Sequence, residues 1–375
     1  MKDKSEKNDS ARKIDCRCFA LAALLILLLL LSSAITAAVY FLVTSSGGTI
    51  VLLGGGSPRH QKTVLSYDPL SGRFVKTLKL LRERKAPTAV RIPGDKVLVM
   101  ASEALGTGPW TNSTEVVDLR RGKVTRGPDT LYHHGNYASS CLAGNDSVYL
   151  CGGSESPAYC EVLNVTTQTW TPLGFPGLSI ERHSSVFVHP FVYLIGGNRR
   201  QPGSTALRML TLYNTVSGEW SSPKNSSLHV ARLNAAAATL NVEGRPSIVV
   251  CGGFACTRKG RVQRKQIHRS CEVLDVGVGV WRLFPKMKYQ RAALSLVSFQ
   301  GALYAFGGYD THFTEDDCKR LGMRRSTPPS PPRPSVDPLV ERWDPTTKEW
   351  EVVANASLNY QLWAAAAVAV GAPFD

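Results

Sequence analysis

The sequence predicts an all-β repeat protein that follows a single membrane-spanning helix. Two observations carry this. Five times an apolar, β-rich run stops at a pair of glycines: Ile50–Gly56, Val148–Gly153, Val192–Gly197, Ile248–Gly253 and Leu303–Gly308. Ahead of the first of them, residues 19–43 (FALAALLILLLLLSSAITAAVYFLV) carry no charge at all. A unit repeated at this spacing sets the architecture after residue 48, because such a unit buries its apolar faces only against its neighbours. The chain has 375 residues, 43% hydrophobic and 19% charged, an ordinary globular composition.

Taken in order, residues 1–18 form a short cytosolic tail and residues 19–43 a signal-anchor helix. An uncharged stretch of that length spans a hydrocarbon layer of ~30 Å. A cleaved signal peptide is the competing reading, but its apolar core is usually shorter. Arg12, Lys13 and Arg17 precede the span, and the next charged residue is Arg59. The positive-inside rule therefore expects a single-pass type II membrane protein with residues 44–375 luminal or extracellular, in the Golgi or at the cell surface. Of the net charge of +15, the part after residue 43 keeps 38 − 25 = +13, which would face that compartment. Nucleic acid is then an unexpected partner, and acidic glycans, sialylated surfaces and anionic headgroups remain.

Each repeat reads as an inner strand, a central strand ending in Gly-Gly, a third strand with an aromatic and an Asp or Asn, and an outer strand introduced by Trp. The third strands are VLSYDP (Tyr67, Asp68), TEVVDL (Asp118), CEVLNV (Asn164), LTLYNT (Tyr213, Asn214), CEVLDV (Asp275) and VERWDP (Trp343, Asp344). Phe74, Trp170, Trp220, Trp281 and Trp350 follow after short turns. These residues pack: glycines admit a close backbone approach, aromatics fill the wedge between sheets, and Asp or Asn opens the turn.

This order of Gly-Gly, Tyr-Asp-Pro and Trp resembles the kelch repeat over nearly all of residues 49–371. The resemblance implies a β-propeller with one four-stranded blade per repeat, six in all. One unit departs from the pattern, with Ala101-Ser102 in place of Gly-Gly and Val124 in place of Trp. The first unit lacks an inner strand, and LWAAAAVAVG (Leu362–Gly371) supplies it from the C-terminus, closing the ring and removing exposed sheet edges.

The cysteines recur in register. Cys151 and Cys160 occupy the same two places in one repeat as Cys251 and Cys271 in another, which suggests cross-strand disulfides in an oxidising compartment; pairs of buried thiols are the alternative. Cys256 and Cys318 lie in neighbouring long loops and could pair. Sequons at Asn112, Asn145, Asn164, Asn225 and Asn355 all follow the span, so a glycoprotein is expected.

Function is expected where loops open on one mouth of the channel. Aligned on the glycines, inner strands begin near Lys85, Asn136, Arg182, Arg232, Arg291 and Gln361. In the kelch family residues at this place ring the channel mouth, and basic ones often hold acidic groups of a partner. Here Lys85, Arg182, Arg232 and Arg291 are the candidates, with hydrogen bonding to neighbouring loops as the other role for Arg at that place. Two long loops open on the same face. Residues 254–270 hold Arg258, Lys259, Arg261, Arg264, Lys265 and Arg269, and residues 311–338 form a Pro-rich insertion. The expected function is binding of a protein or acidic glycan through this basic face.

The alternative is a propeller enzyme acting on sugars, mutarotase-like or oxidase-like, since fold does not fix function. The eight histidines show no ligand spacing, and no nucleophile elbow or phosphate loop occurs. No metal, cofactor or catalytic residue is therefore assigned. An adaptor role in protein degradation would require further domains that the short cytosolic tail has no room for.

Overall fold

The computed structural model describes residues 48–55, 62–102, 112–154, 159–174, 180–199, 205–259, 262–310, 340–353, 362 and 364–371. The span at 19–43 lies outside them, and among the described residues no helix is long and apolar enough to cross a membrane.

Six four-stranded antiparallel sheets form the six blades of a propeller. The first blade pairs β1 (Thr49–Leu53), β2 (Thr63–Asp68) and β3 (Arg73–Lys79). Blade 2 holds β4 (Thr88–Ile92), β5 (Lys96–Met100), β6 (Glu115–Asp118) and β7 (Lys123–Arg126). In blade 3 lie β8 (Ser139–Ala143), β9 (Ser147–Cys151), β10 (Cys160–Asn164) and β11 (Thr169–Leu173). Next come β12 (Ile180–Val188), β13 (Phe191–Arg199), β14 (Leu210–Asn214) and β15 (Trp220–Ser221) in blade 4. The fifth blade uses β16 (Ala236–Val242) and β17 (Arg245–Cys251), then a separate hairpin of β18 (Phe254–Lys259) and β19 (Val262–Ile267), then β20 (Cys271–Asp275) and β21 (Val280–Phe284). Blade 6 is β22 (Ser295–Phe299), β23 (Ala302–Phe306), β24 (Val340–Asp344) and β25 (Glu349–Val352).

The last strand, β26 (Ala366–Val370), returns to blade 1 and pairs with β1 from Thr49↔Val370 to Leu53↔Ala366. It packs between β22 and β4, so the six inner strands close a ring. The C-terminal segment is thus the missing inner strand, as its sequence predicts. The departing blade 2 is complete as well. Ala101 takes the left-handed conformation of the first glycine, with φ +50°.

Among the described residues each blade interface holds one apolar cluster, and a seventh cluster lies at the foot of the hairpin. The repeat aromatics sit in them: Tyr67 packs edge-on against Phe306, and Trp343 lies 5.0 Å from Phe284. Trp170, Trp281 and Trp350 are buried, each contributing about 2–3 kcal/mol of apolar burial. The Trp170 and Trp350 indoles donate to the carbonyls of Pro128 and Pro285, at the end of the preceding blade's outer strand. The repeat Asp and Asn residues accept backbone N–H groups two and three residues on, as at Asp344 and Asn164.

Because strands alternate within a blade, two kinds of turn share each end of the propeller. Inner-to-central and third-to-outer turns lie at one end. Central-to-third loops and blade-to-blade connections lie at the other, which is the end that carries the hairpin. The chain enters at Gly48, ahead of β1, and so at the end opposite the hairpin.

Candidate functional site

At the hairpin end each blade turns into its inner strand through one residue at positive φ. These are Ala86 (φ +48°), Tyr137 (+61°), Arg182 (+62°), Asn234 (+50°), Ala293 (+53°) and Ala364 (+50°). None is glycine, and a left-handed non-glycine costs about 1–2 kcal/mol. The ring is held by hydrogen bonds from blade to blade: the amides of Arg182, Asn234, Ala293 and Ala364 donate to the carbonyls of Tyr137, Arg182, Asn234 and Ala293. The six residues surround an axial cavity of about 120 Å³.

Three of the six carry functional side chains. The Arg182 guanidinium lies 4.2 Å from the Tyr137 ring centroid, and its Nε is 3.5 Å from the Glu181 carboxylate. The Asn234 amide nitrogen is buried without a partner. His183, next to Arg182, is buried with both ring nitrogens unpartnered, and burial pushes it down to about 3. It is therefore neutral at physiological pH.

Two of the expected mouth residues are placed differently. Arg232 and Arg291 stand two residues before the ring, with fully buried side chains. Arg291 Nε donates to Glu341 at 2.9 Å, and its Nη1 donates to the Gly307 carbonyl at 2.7 Å. Arg232 bonds Glu272 and the Gly252 carbonyl in the same way. Their charges are spent inside the protein, so the expectation that they face a partner is corrected. Lys85 stands one residue before the ring and is half-buried.

The same clamp recurs in four blades. Glu115 opens the third strand of its blade, Glu161, Glu272 and Glu341 are the second residues of theirs, and all four are buried. Each carboxylate accepts two successive backbone amides of the incoming loop: Leu81 and Arg82, Leu131 and Tyr132, His229 and Val230, Lys288 and Tyr289. Arg84, Arg232 and Arg291 complete three clamps, and His134 completes the fourth. In blades 1 and 4 the two places hold Leu65 with Leu362 and Thr211 with Ile180. Acid and base are present or absent together, as the high cost of an unpaired buried charge requires.

The basic loop after β17 is not irregular. It folds as the β18–β19 hairpin, in register from Phe254↔Ile267 to Lys259↔Val262. Phe254 and Ile267 are buried at its base. Lys265 lies over the rings of Phe254 (4.0 Å) and Tyr309 (4.7 Å), with Nζ 3.4 Å from the Tyr309 hydroxyl. It fastens the hairpin to blade 6, where the sequence expects one of the loop's partner-binding bases. Arg258, Lys259 and Arg264 lie on the hairpin strands and Arg269 is exposed at its foot. Arg261, the Pro-rich insertion, Gln361 and Asn355 lie outside the described residues.

The disulfides Cys151–Cys160 and Cys251–Cys271 form as their registers suggest, each across a directly paired position. Cys256 is also disulfide-bonded; its expected partner Cys318 lies outside the described residues. Asn145 and Asn225 are exposed in connections. Asn112 donates to the Thr130 carbonyl, and Asn164 caps its own turn.

Sequence reasoning missed the four glutamates, Tyr137, His183 and Asn234. The glutamates had a signal, recurring as the second residue of TEVV, CEVL, CEVL and VERW.

Among known proteins the chain is similar to Kelch-like protein 41a of Danio rerio, 27% identical over 139 residues, covering 37% of this chain and 20% of that protein. It is 24% identical to Kelch-like protein 40 of Xenopus tropicalis over 184 residues (46% of this chain, 27% of that protein). The Xenopus laevis Kelch-like protein 40 is 24% identical over 190 residues, 48% and 28% of the two chains. The chain therefore spans between 20% and 28% of the length of these relatives. No family model matches it.

Proposed function

We propose that this six-bladed kelch-repeat propeller is a binding module that engages an acidic protein partner at its hairpin end. The observation that carries the reading is the β18–β19 hairpin. A flexible basic loop would lose entropy on binding, whereas this one is already fastened by Lys265 to Phe254 and Tyr309. Pre-organised charge speeds encounter and lowers the ordering cost. Arg182 adds a basic group beside the axial cavity. The kelch-like relatives favour a protein partner over a glycan.

In this proposal residues 19–43 anchor a type II membrane protein, with the propeller in the secretory lumen or outside the cell. The two disulfides and the exposed sequons at Asn145 and Asn225 support that placement. The test is to probe arrays of acidic peptides and of sulfated or sialylated glycans with the full chain and with a variant carrying Arg258→Ser, Lys259→Ser, Arg261→Ser and Arg264→Ser. Peptide binding that the variant loses supports the reading. Binding confined to glycans moves the assignment to a lectin, and unchanged binding in the variant removes the hairpin from the site.

A further inference from the structure

The clamp of blade 3 differs from the others in one residue. Where the other three have arginine, it has His134, buried against Glu161. The imidazole reproduces the arginine contacts one for one. Nε2 is 2.7 Å from Glu161 Oε1, where Nε of Arg291 is 2.9 Å from Glu341, and Nδ1 is 2.8 Å from the Gly152 carbonyl, where Nη1 of Arg291 is 2.7 Å from that of Gly307. Both ring nitrogens thus face acceptors that have no proton to give. Only the imidazolium, with two N–H donors, satisfies both at once.

Among the described residues the following titratable groups are packed around it. Glu161 faces it from β10. His183 of β12 lies against Gly152 and is neutral. Tyr132 shares its loop and stacks on Tyr159, with ring centroids 3.9 Å apart. The amides of Leu131 and Tyr132 rest on the same Glu161 carboxylate. The clamp therefore positions a surface patch, since Leu131 (50%) and Tyr159 (37%) are exposed.

We propose that the His134–Glu161 clamp is a proton-dependent latch that holds the Leu131–Tyr132 loop in acid and loosens it as pH rises. Arginine keeps its charge across the physiological range and histidine does not. Losing the proton leaves either Gly152 or Glu161 facing a bare nitrogen in a buried site, and the carboxylate loses its counter-charge. The arginine clamps of Glu115 and Glu341, which involve no histidine among the described residues, are insensitive over the same range. The inference goes beyond the proposed binding role and does not depend on it.

The test is amide hydrogen exchange of the full chain from about pH 5.5 to about pH 8, with each rate divided by its intrinsic value. The loops at Leu81–Arg82 and Lys288–Tyr289 serve as internal controls. The loop at His229 is left out because His229 itself reaches Glu272. Protection of Leu131–Tyr132 is expected to fall about tenfold more than that of the controls, the effect of losing one charge-assisted hydrogen bond. His134→Arg is expected to remove the difference. A constant ratio to the controls in the wild-type chain overturns the proposal, as does a His134→Arg chain that keeps the wild-type pH dependence. The wild-type ratio decides alone if the variant does not fold.

Discussion

Arg291 and Glu341 form a fully buried ion pair, Nε to Oε1 at 2.9 Å, that ties the loop entering blade 6 to the third strand of that blade. The Arg291 carbonyl also accepts the Gly253 amide of blade 5, so the pair sits where one blade is joined to the next. Breaking it by Glu341→Ala leaves a buried guanidinium without a counter-charge, at an expected cost of about 3–5 kcal/mol. Replacing both residues with leucine copies Leu362 and Leu65 of blade 1 and should cost clearly less. Urea unfolding of the two variants checks this, and a double variant no more stable than the single would refute it.

The disulfides stabilise more for longer loops, but only with the logarithm of loop length. Residue separations are 9 for Cys151–Cys160 and 20 for Cys251–Cys271. Loop-closure entropy then favours the second by less than about 1 kcal/mol, each bond being worth roughly 2–4 kcal/mol. Thermal unfolding of the Cys→Ser pair variants should rank them in that order. Cys141 is the free thiol among the described residues, and burial pushes it up to about 12. It should resist alkylation in the native protein and react only on unfolding.

Acid should weaken the fold through His183. Burial holds this imidazole near 3 in the folded chain, against about 6.5 in the unfolded one. The unfolded state therefore binds the extra proton first. The contribution is fully present above about pH 6.5 and is lost as pH falls towards 3. His268, pushed down to about 4 by burial and then by the Arg232 charge, acts in the same direction. A His183→Gln variant should show a shallower loss of stability between about pH 6 and pH 4. Matching slopes would show that His183 takes no part.

How much of this was legible depended on whether a residue's role is local or relational. Gly-Gly, Asp or Asn, and Trp each act within one blade at fixed spacing, so they revealed the blade order, the closing strand β26 and both disulfide registers. The mouth was misaligned because Arg232 and Arg291 precede their ring residues, Asn234 and Ala293, by two positions across a left-handed turn. Spacing from the glycines alone does not register that turn. The role of each glutamate depends on a base some 30–50 residues earlier in the chain, and charge on a strand usually signals solvent. The hairpin was hidden because its strands are rich in Arg and Lys, which mask the alternation of buried Phe254 and Ile267.

Gly307 and Ala101 occupy equivalent places with opposite consequences. At Gly307, with φ +57°, an added Cβ would fall on the Leu362 carbonyl, so Gly307→Ala should cost at least about 1–2 kcal/mol. Ala101→Gly relieves the same left-handed strain and should be neutral or mildly stabilising. Melting temperatures of the two variants shift in opposite directions if the blades are equivalent, and in the same direction if they are not.

The salt dependence of binding to polyglutamate, measured on the full chain with and without the four hairpin substitutions, tests the proposed binding role most directly. The wild-type chain should bind with an affinity that falls steeply as salt rises, and the substituted chain should lose most of both the affinity and the salt slope. Equal affinity and equal slope in the two chains would contradict the assignment of the hairpin end as the acidic partner's site.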